Sequence, residues 1–157
     1  MKIKLLTVGK TDAAYIAEGI TLYEKRLKHY ISFEMQCLPD IKNAKVLTIE
    51  QQKEKEGSAI LSQLNDCDEI VLLDEKGKMF TSVDFSVYLS KKMIASTKNM
   101  VFVIGGPYGF SQDVYNKTKS KISLSPMTFT HQMVRLLFIE QLYRAFTIVK
   151  NEAYHHI

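Results

Sequence analysis

The apolar positions of this chain alternate between two periods. Ile3, Leu5, Leu6 and Val8 form a short run stopped by Gly9, the pattern of a buried strand. Beyond it, Ile16, Ile20, Tyr23, Leu27 and Tyr30 recur at spacings of four and three, which predicts a helix over residues 12–29 with one apolar face. Residues 32–38 predict a second strand. Thr48-Ile49-Glu50-Gln51 matches a capping box and opens a charged helix, with Ile60, Leu61 and Leu64 as its core contacts. Residues 69–74 predict a third strand, and Lys76-Gly77-Lys78 its turn. Thr81 and Asp84 repeat the capping pattern ahead of a helix that ends near residue 95. Residues 99–104 predict a fourth strand, Ser111 to Lys117 a short helix, 121–124 a fifth strand and 131–150 a terminal helix. Strands alternating with helices predict one α/β domain over residues 1–157 with a mainly parallel sheet.

Ligands in such folds bind beyond the carboxyl ends of the strands. That directs attention to Leu73-Asp74, Gly105-Gly106 and Leu124-Ser125. Gly9-Lys10-Thr11 is not a phosphate-binding loop, because Lys4 stands where the motif needs its first glycine. Gly105-Gly106-Pro107-Tyr108-Gly109 departs from the dinucleotide fingerprint. It reads either as a tight turn or as a close approach of backbone to ligand.

The terminal helix is apolar around its whole circumference apart from Arg135, Glu140, Gln141, Arg144 and Thr147. Such a helix is buried on all sides. A small domain achieves this by turning one face to its core and another to a second copy of the chain. Glu140 and Arg144 are four residues apart and can pair. Arg135, Glu140 and Arg144 are then either interface ions or the setting for an arginine that faces an anionic substrate. The tail, Asn151 to Ile157, holds Tyr154, His155 and His156. It is either frayed or able to stack on a base and handle a proton. Adjacent histidines without thiolate or carboxylate partners make a poor metal site, and none is expected.

Composition narrows the class. The chain has 157 residues, 46% apolar and 24% charged, with a net charge of +4. It is a folded globular chain, and its charge permits a nucleic-acid partner without demanding one. The charged residues of the terminal helix exclude a membrane span. The first apolar residues alternate with lysines, so no secretory leader is expected. Cys37 and Cys67 fit neither a metal nor a redox motif. Both read as buried packing residues in a reducing cytoplasm, with a thiol nucleophile as the alternative.

Taken together, several stretches carry a specific pattern: Leu5 to Lys10, Tyr23-Glu24-Lys25-Arg26-Leu27, Lys55-Glu56-Gly57, Leu73-Asp74 with Gly77-Lys78, Phe102 to Gly109, Leu124 to Phe129, and His131 to Phe146 with Tyr154-His155. Over nearly the full length they resemble the bacterial large-subunit rRNA pseudouridine N3-methyltransferases, a family of the SPOUT class. The resemblance implies a sheet of five to six strands with helices on both faces and a C-terminal trefoil knot. It implies S-adenosylmethionine as cofactor, a homodimer, and 23S rRNA on the assembled ribosome as partner. The cofactor contacts it implies are Leu73, Gly105, Leu124, Ser125, Pro126, Met127, Thr128 and Phe129, largely through main-chain amides and carbonyls.

For the chemistry, Arg144 or Arg135 is expected to stabilise the imide anion formed as N3 loses its proton. Tyr154 or His155 is expected to orient the base or relay that proton. Lys25, Arg26, Lys28, His29, Lys117, Lys119 and Lys121 are candidate phosphate contacts. The chain departs from the family in having Thr130 where proline is usual and in ending His156-Ile157 instead of with a basic residue. Threonine can still cap the helix. The rival expectations are an inactive rRNA-binding protein of the same fold and a flavodoxin-like nucleotide enzyme.

Overall fold

The computed structural model describes residues 1–66, 68–118 and 120–155. Cys67, Lys119, His156 and Ile157, each given a role above, lie outside the described residues. The element order is β1 (Lys2–Val8), α1 (Ala14–Leu27), β2 (Ser32–Leu38), α2 (Ile49–Leu61), β3 (Glu69–Met79), α3 (Ser82–Ile94), β4 (Asn99–Ile104), α4 (Gln112–Lys117), β5 (Ser120–Ser123) and α5 (Met133–Val149). A single 3-10 turn, Ala44–Val46, separates β2 from α2.

The five strands form one sheet in the order β2-β1-β4-β3-β5, and every ladder is parallel. Both faces are covered, which is why the strands read as nearly continuous apolar runs. Side chains alternate across the sheet. Ile3, Leu5, Val71, Leu73, Met100, Phe102 and Ile104 pack under α1, α3 and α5. Leu6, Val8, Ile70, Leu72, Val101 and Val103 pack toward Ile60 of α2 and Val114 of α4.

The caps form as the spacing requires. The Gln51 amide donates to Thr48 Oγ1 at 3.2 Å, and the Thr48 amide donates to Gln51 Oε1 at 3.0 Å. At α3 only half of the box forms. Thr81 Oγ1 accepts the Asp84 amide at 3.1 Å, but the Asp84 carboxylate accepts the Thr81 hydroxyl instead of its amide. Aspartate is one methylene shorter than the Glu or Gln that completes the motif. Thr130 also acts at a helix start: its Oγ1 accepts the Met133 amide at 3.2 Å.

Two expectations need correction. Lys76-Gly77-Lys78 is not a turn, because β3 runs on to Met79. Its pairing with β5 shifts register between Leu73 and Lys78, and Ile122 is the partner of both residues. Glycine is needed there for close approach: a Cβ on Gly77 would lie 2.5 Å from the Ile122 backbone. Gly77→Ala is therefore expected to cost roughly 1–3 kcal/mol by overpacking. A thermal melt would read this as a fall of about 2–10 °C. Cys37, expected to be buried, is exposed, because β2 is an edge strand and this residue lies opposite in the pleat to buried Leu38.

The terminal helix is covered largely within one protomer. It packs against α1 and α3, with Arg135, Phe138, Ile139, Leu142, Ala145, Phe146 and Thr147 buried. Val134, Leu137, Gln141, Arg144 and Ile148 stay half-buried at spacings of three and four, a stripe along one side. Among the described residues no helix is long and apolar enough to cross a membrane.

Candidate active site

β3, β4 and β5 are neighbours in the sheet and run the same way, so the irregular segment of β3 after Leu73 and the loops after β4 and β5 meet in one place. These loops enclose a cleft of about 540 Å³, a usual size for a small-molecule site. Leu73, Ile104, Ile122, Leu124, Phe129 and Val134 give it apolar walls, and Lys53, Asp74, Glu75 and Lys76 supply charge.

The glycine loop is built from backbone. Gly109 adopts a left-handed φ of 81° and its amide donates to the Gly106 carbonyl at 3.1 Å. A Cβ on Gly105 would lie 3.1 Å from the Phe110 ring, and one on Gly106 would lie 2.3 Å from the Glu56 carboxylate. A Cβ at either position would therefore have to displace the Phe110 ring or the Glu56 carboxylate. The loop after β5 holds itself in shape: Ser125 Oγ accepts the Met127 amide at 2.9 Å and Ser123 Oγ donates to the Ser125 carbonyl at 3.0 Å. Met127 and Phe129 remain exposed.

Of the expected cofactor residues, Leu73, Gly105, Leu124, Ser125, Met127, Thr128 and Phe129 line this cleft. Pro126 is not among the lining residues. Sequence reasoning missed Lys53, Tyr115, His131 and Val134, which also line it. Tyr115 and Lys53 come from helices on the other face of the sheet, and no local pattern marks them.

Glu56 stands behind the glycine loop. It is 3% exposed, with Oε1 accepting Gln52 Nε2 at 2.8 Å and Oε2 unpartnered. Burial raises its pKa above the ordinary 4.5, the Gln52 bond opposes this, and Asp40 adds to it. The folded state therefore holds this proton more tightly than the unfolded chain does. That contribution is present in full below 4.5 and is lost as pH rises through the raised folded value. Glu56→Gln removes it, so the variant's melting temperature relative to the parent is expected to be higher at pH 8 than at pH 4. A difference that does not change with pH would contradict this.

A second polar cluster lies at the far end of α5. Glu140 Oε1 accepts Arg144 Nε at 3.0 Å, Arg144 Nη2 at 2.6 Å and the Tyr154 hydroxyl at 3.1 Å. The Tyr154 and Tyr23 hydroxyls are 3.2 Å apart, and Arg144 Nη1 lies 3.5 Å from His155 Nδ1. The Arg144 guanidinium sits 4.8 Å from the Tyr154 ring centroid. Burial, then its bond to Tyr23 and the Glu140 charge, push the Tyr154 pKa well above its ordinary value. Its hydroxyl stays protonated and serves as a donor. The Glu140 bond likewise raises the Arg144 pKa. Expected catalytic residues Arg144, Tyr154 and His155 are therefore brought together, but none lines the cleft of its own protomer. Val134 is at the cleft, and Arg144 follows ten residues later, about 15 Å along the helix.

Arg135 is the exception among the expected catalytic residues and requires correction. It is fully buried. Nη1 donates to the Gly9 carbonyl and Thr11 Oγ1, each at 2.9 Å, Nη2 to the Val8 carbonyl at 2.7 Å, and Nε to the His131 carbonyl at 3.1 Å. Burial pushes its pKa down, opposed by Cys37, Asp40 and Asp12. Its donors are turned to main chain, so it pins the end of β1 to the start of α5 and does not face a substrate.

A family model described as "Predicted SPOUT methyltransferase" matches residues 1–155. The chain belongs to the SPOUT methyltransferase family. Proteins named "Ribosomal RNA large subunit methyltransferase H" are similar to it over 99% of both chains. The one from Parabacteroides distasonis is 62% identical, that from Flavobacterium johnsoniae 59% and that from Porphyromonas gingivalis strain ATCC 33277 53%. A solved structure of a probable methylase family protein from Haemophilus influenzae shares the fold, with a TM-score of 0.55 at 12% identity. The likeness covers 99% of this chain and 70% of that one.

SPOUT enzymes take their methyl group from S-adenosylmethionine. The cleft fits that molecule. Its apolar walls suit an adenine and a thioether chain, its backbone-built loops suit ring and ribose polar atoms, and Phe110 and Glu56 crowd the positions where Gly105 and Gly106 lack a side chain.

Proposed function

We propose that this protein methylates N3 of a pseudouridine in a 23S rRNA stem-loop of the assembled ribosome, acting as a cytoplasmic homodimer. The carrying observation is the separation of two half-sites along α5: a donor cleft at its start and the Glu140–Arg144–Tyr154–His155 cluster at its end. The names and 53–62% identities of the relatives support the substrate.

Bound S-adenosylmethionine supplies an activated methyl on a sulfonium. Leu73, the glycine loop and residues 124–129 would hold it. Arg144, fixed by Glu140, offers a charged donor to the carbonyl oxygens of the imide as N3 loses its proton. The Tyr154 hydroxyl, donating to Glu140, helps hold that carboxylate on Arg144 while its ring orients the base, and a His155 ring nitrogen accepts the proton. No covalent enzyme intermediate is needed for transfer to nitrogen. The half-buried stripe of α5 is the surface left for a second copy, which carries its tail cluster to the first copy's cleft. The trefoil knot of the SPOUT class is part of the same reading.

RNA would approach over the basic end of α1. Arg26 lies 5.4 Å from the Tyr23 ring centroid and 5.6 Å from that of Tyr143, beside the tail cluster. Lys25, Lys28 and His29 share that end of the helix. Lys117 is instead engaged by Asp66 at 2.5 Å.

The test is methyl transfer from labelled S-adenosylmethionine to unmodified ribosomes and to isolated 23S rRNA, with mass mapping of the product. Transfer to one pseudouridine on ribosomes alone is expected. Equal rates on both substrates would remove the ribosome from the proposal, and transfer to neither would remove the function.

A further inference from the structure

We infer that Tyr115 and Asp74 form a brace that sets the shape of the donor cleft, making Tyr115 a positioning residue for the cofactor. The inference rests on the reading of this cleft as the S-adenosylmethionine site.

Asp74 lies where the β3–β5 pairing breaks register, between Leu73 and Lys78. Its carboxylate ties this irregular segment from within, with Oδ1 accepting the Lys76 amide at 2.7 Å. Oδ2 accepts the hydroxyl of Tyr115 from α4 at 2.5 Å. The Tyr115 ring meets Phe110 edge-on, centroids 5.8 Å apart at 76°. Phe110 in turn backs Gly105, leaving no room for a Cβ without displacement. Lys121 of β5 places its ammonium 5.3 Å from the Tyr115 ring centroid, a cation–π distance. One tyrosine thus touches the irregular segment within β3, the loop after β4 and the strand that feeds the loop after β5.

Burial, and then the bond to Asp74, raise the Tyr115 pKa, so its donor proton stays in place across the working pH range. Both residues line the cleft, yet the methyl transfer proposed above uses neither. Their contribution is to hold the loops in the shape the ligand needs before it arrives, which lowers the ordering cost of binding.

Tyr115→Phe keeps the ring and removes only the hydroxyl. Calorimetric titration is expected to show S-adenosylmethionine and S-adenosylhomocysteine each binding about tenfold more weakly to this variant, the scale of one lost hydrogen bond to a charged group. Asp74→Ala is expected to weaken both ligands at least as much, and the double variant to be no weaker than Asp74→Ala alone. In steady state the KM for S-adenosylmethionine rises while kcat at saturation and the KM for ribosomes hold. Unchanged affinity in Tyr115→Phe, with the parent binding normally, would overturn the brace. So would a fall in kcat with KM unchanged, or a lowered melting temperature with unchanged affinity. A parent protein that binds neither ligand would instead remove the cofactor reading, and the brace with it. Tyr115→Phe decides the matter alone if Asp74→Ala does not fold.

Discussion

Arg135→Ala is expected to destabilise the protein by about 3–5 kcal/mol, from buried acceptors left unpaired and the cavity left behind. Arg135 is 0% exposed, and its guanidinium makes four hydrogen bonds, to three carbonyls and a hydroxyl, at the junction of β1, the following loop and the start of α5. Truncation leaves the carbonyls of Val8, Gly9 and His131 without this donor. Each buried acceptor so orphaned costs about 1–3 kcal/mol, and the cavity adds to the loss. Domains of this size hold roughly 5–15 kcal/mol in all, so much of the margin is lost. Arg135→Lys recovers only part, because an ammonium cannot reproduce the planar fork that spans four acceptors. Urea melts check this: the midpoint is expected to fall with an unchanged slope. A loss under about 1 kcal/mol would show that the network contributes little beyond packing.

The same residue marks how far the sequence could be read. Strand periods, helix faces and caps are local, and β1, α1, β2, α2 and β4 lie where their patterns place them. The loops after β4 and β5 were also legible, because a parallel sheet brings carboxyl ends together, whereas Leu73-Asp74, expected as a strand end, reaches the same cleft from within β3. Arg135 was misread since two of its acceptors, the Val8 and Gly9 carbonyls, are main-chain atoms more than a hundred residues away, and main chain leaves no signature in side-chain spacing. Gly77 was misread for a related reason. Lys-Gly-Lys has turn composition, but this glycine answers to the backbone of Ile122 on another strand. Tyr115 had no pattern at all, because its partner Asp74 is 41 residues away. What stayed hidden are contacts across sequence distance. What stood out are the loops, and the family resemblance gave them their chemistry.

The largest effect on activity is expected at Arg144. Arg144→Ala removes a charged donor aimed by Glu140, and loss of one such preorganised donor costs about 10²–10³ in kcat. S-adenosylmethionine affinity is expected to stay within twofold, because Arg144 does not line the cleft. The sharper experiment asks which cleft it serves. Within a protomer the tail cluster is about 15 Å along α5 from Val134. On the proposed reading, a second copy brings its tail cluster to this cleft. A chain with a blocked cleft, Gly105→Val, and a chain with a dead tail, Arg144→Ala, are then each inactive as homodimers. Mixed in equal amounts and allowed to exchange, half of the dimers are hybrid and each hybrid has one complete site. Activity then returns to about one quarter of the parent's if sites are shared across a twofold. A tail that serves its own cleft gives no recovery, since the hybrid then contains no complete site.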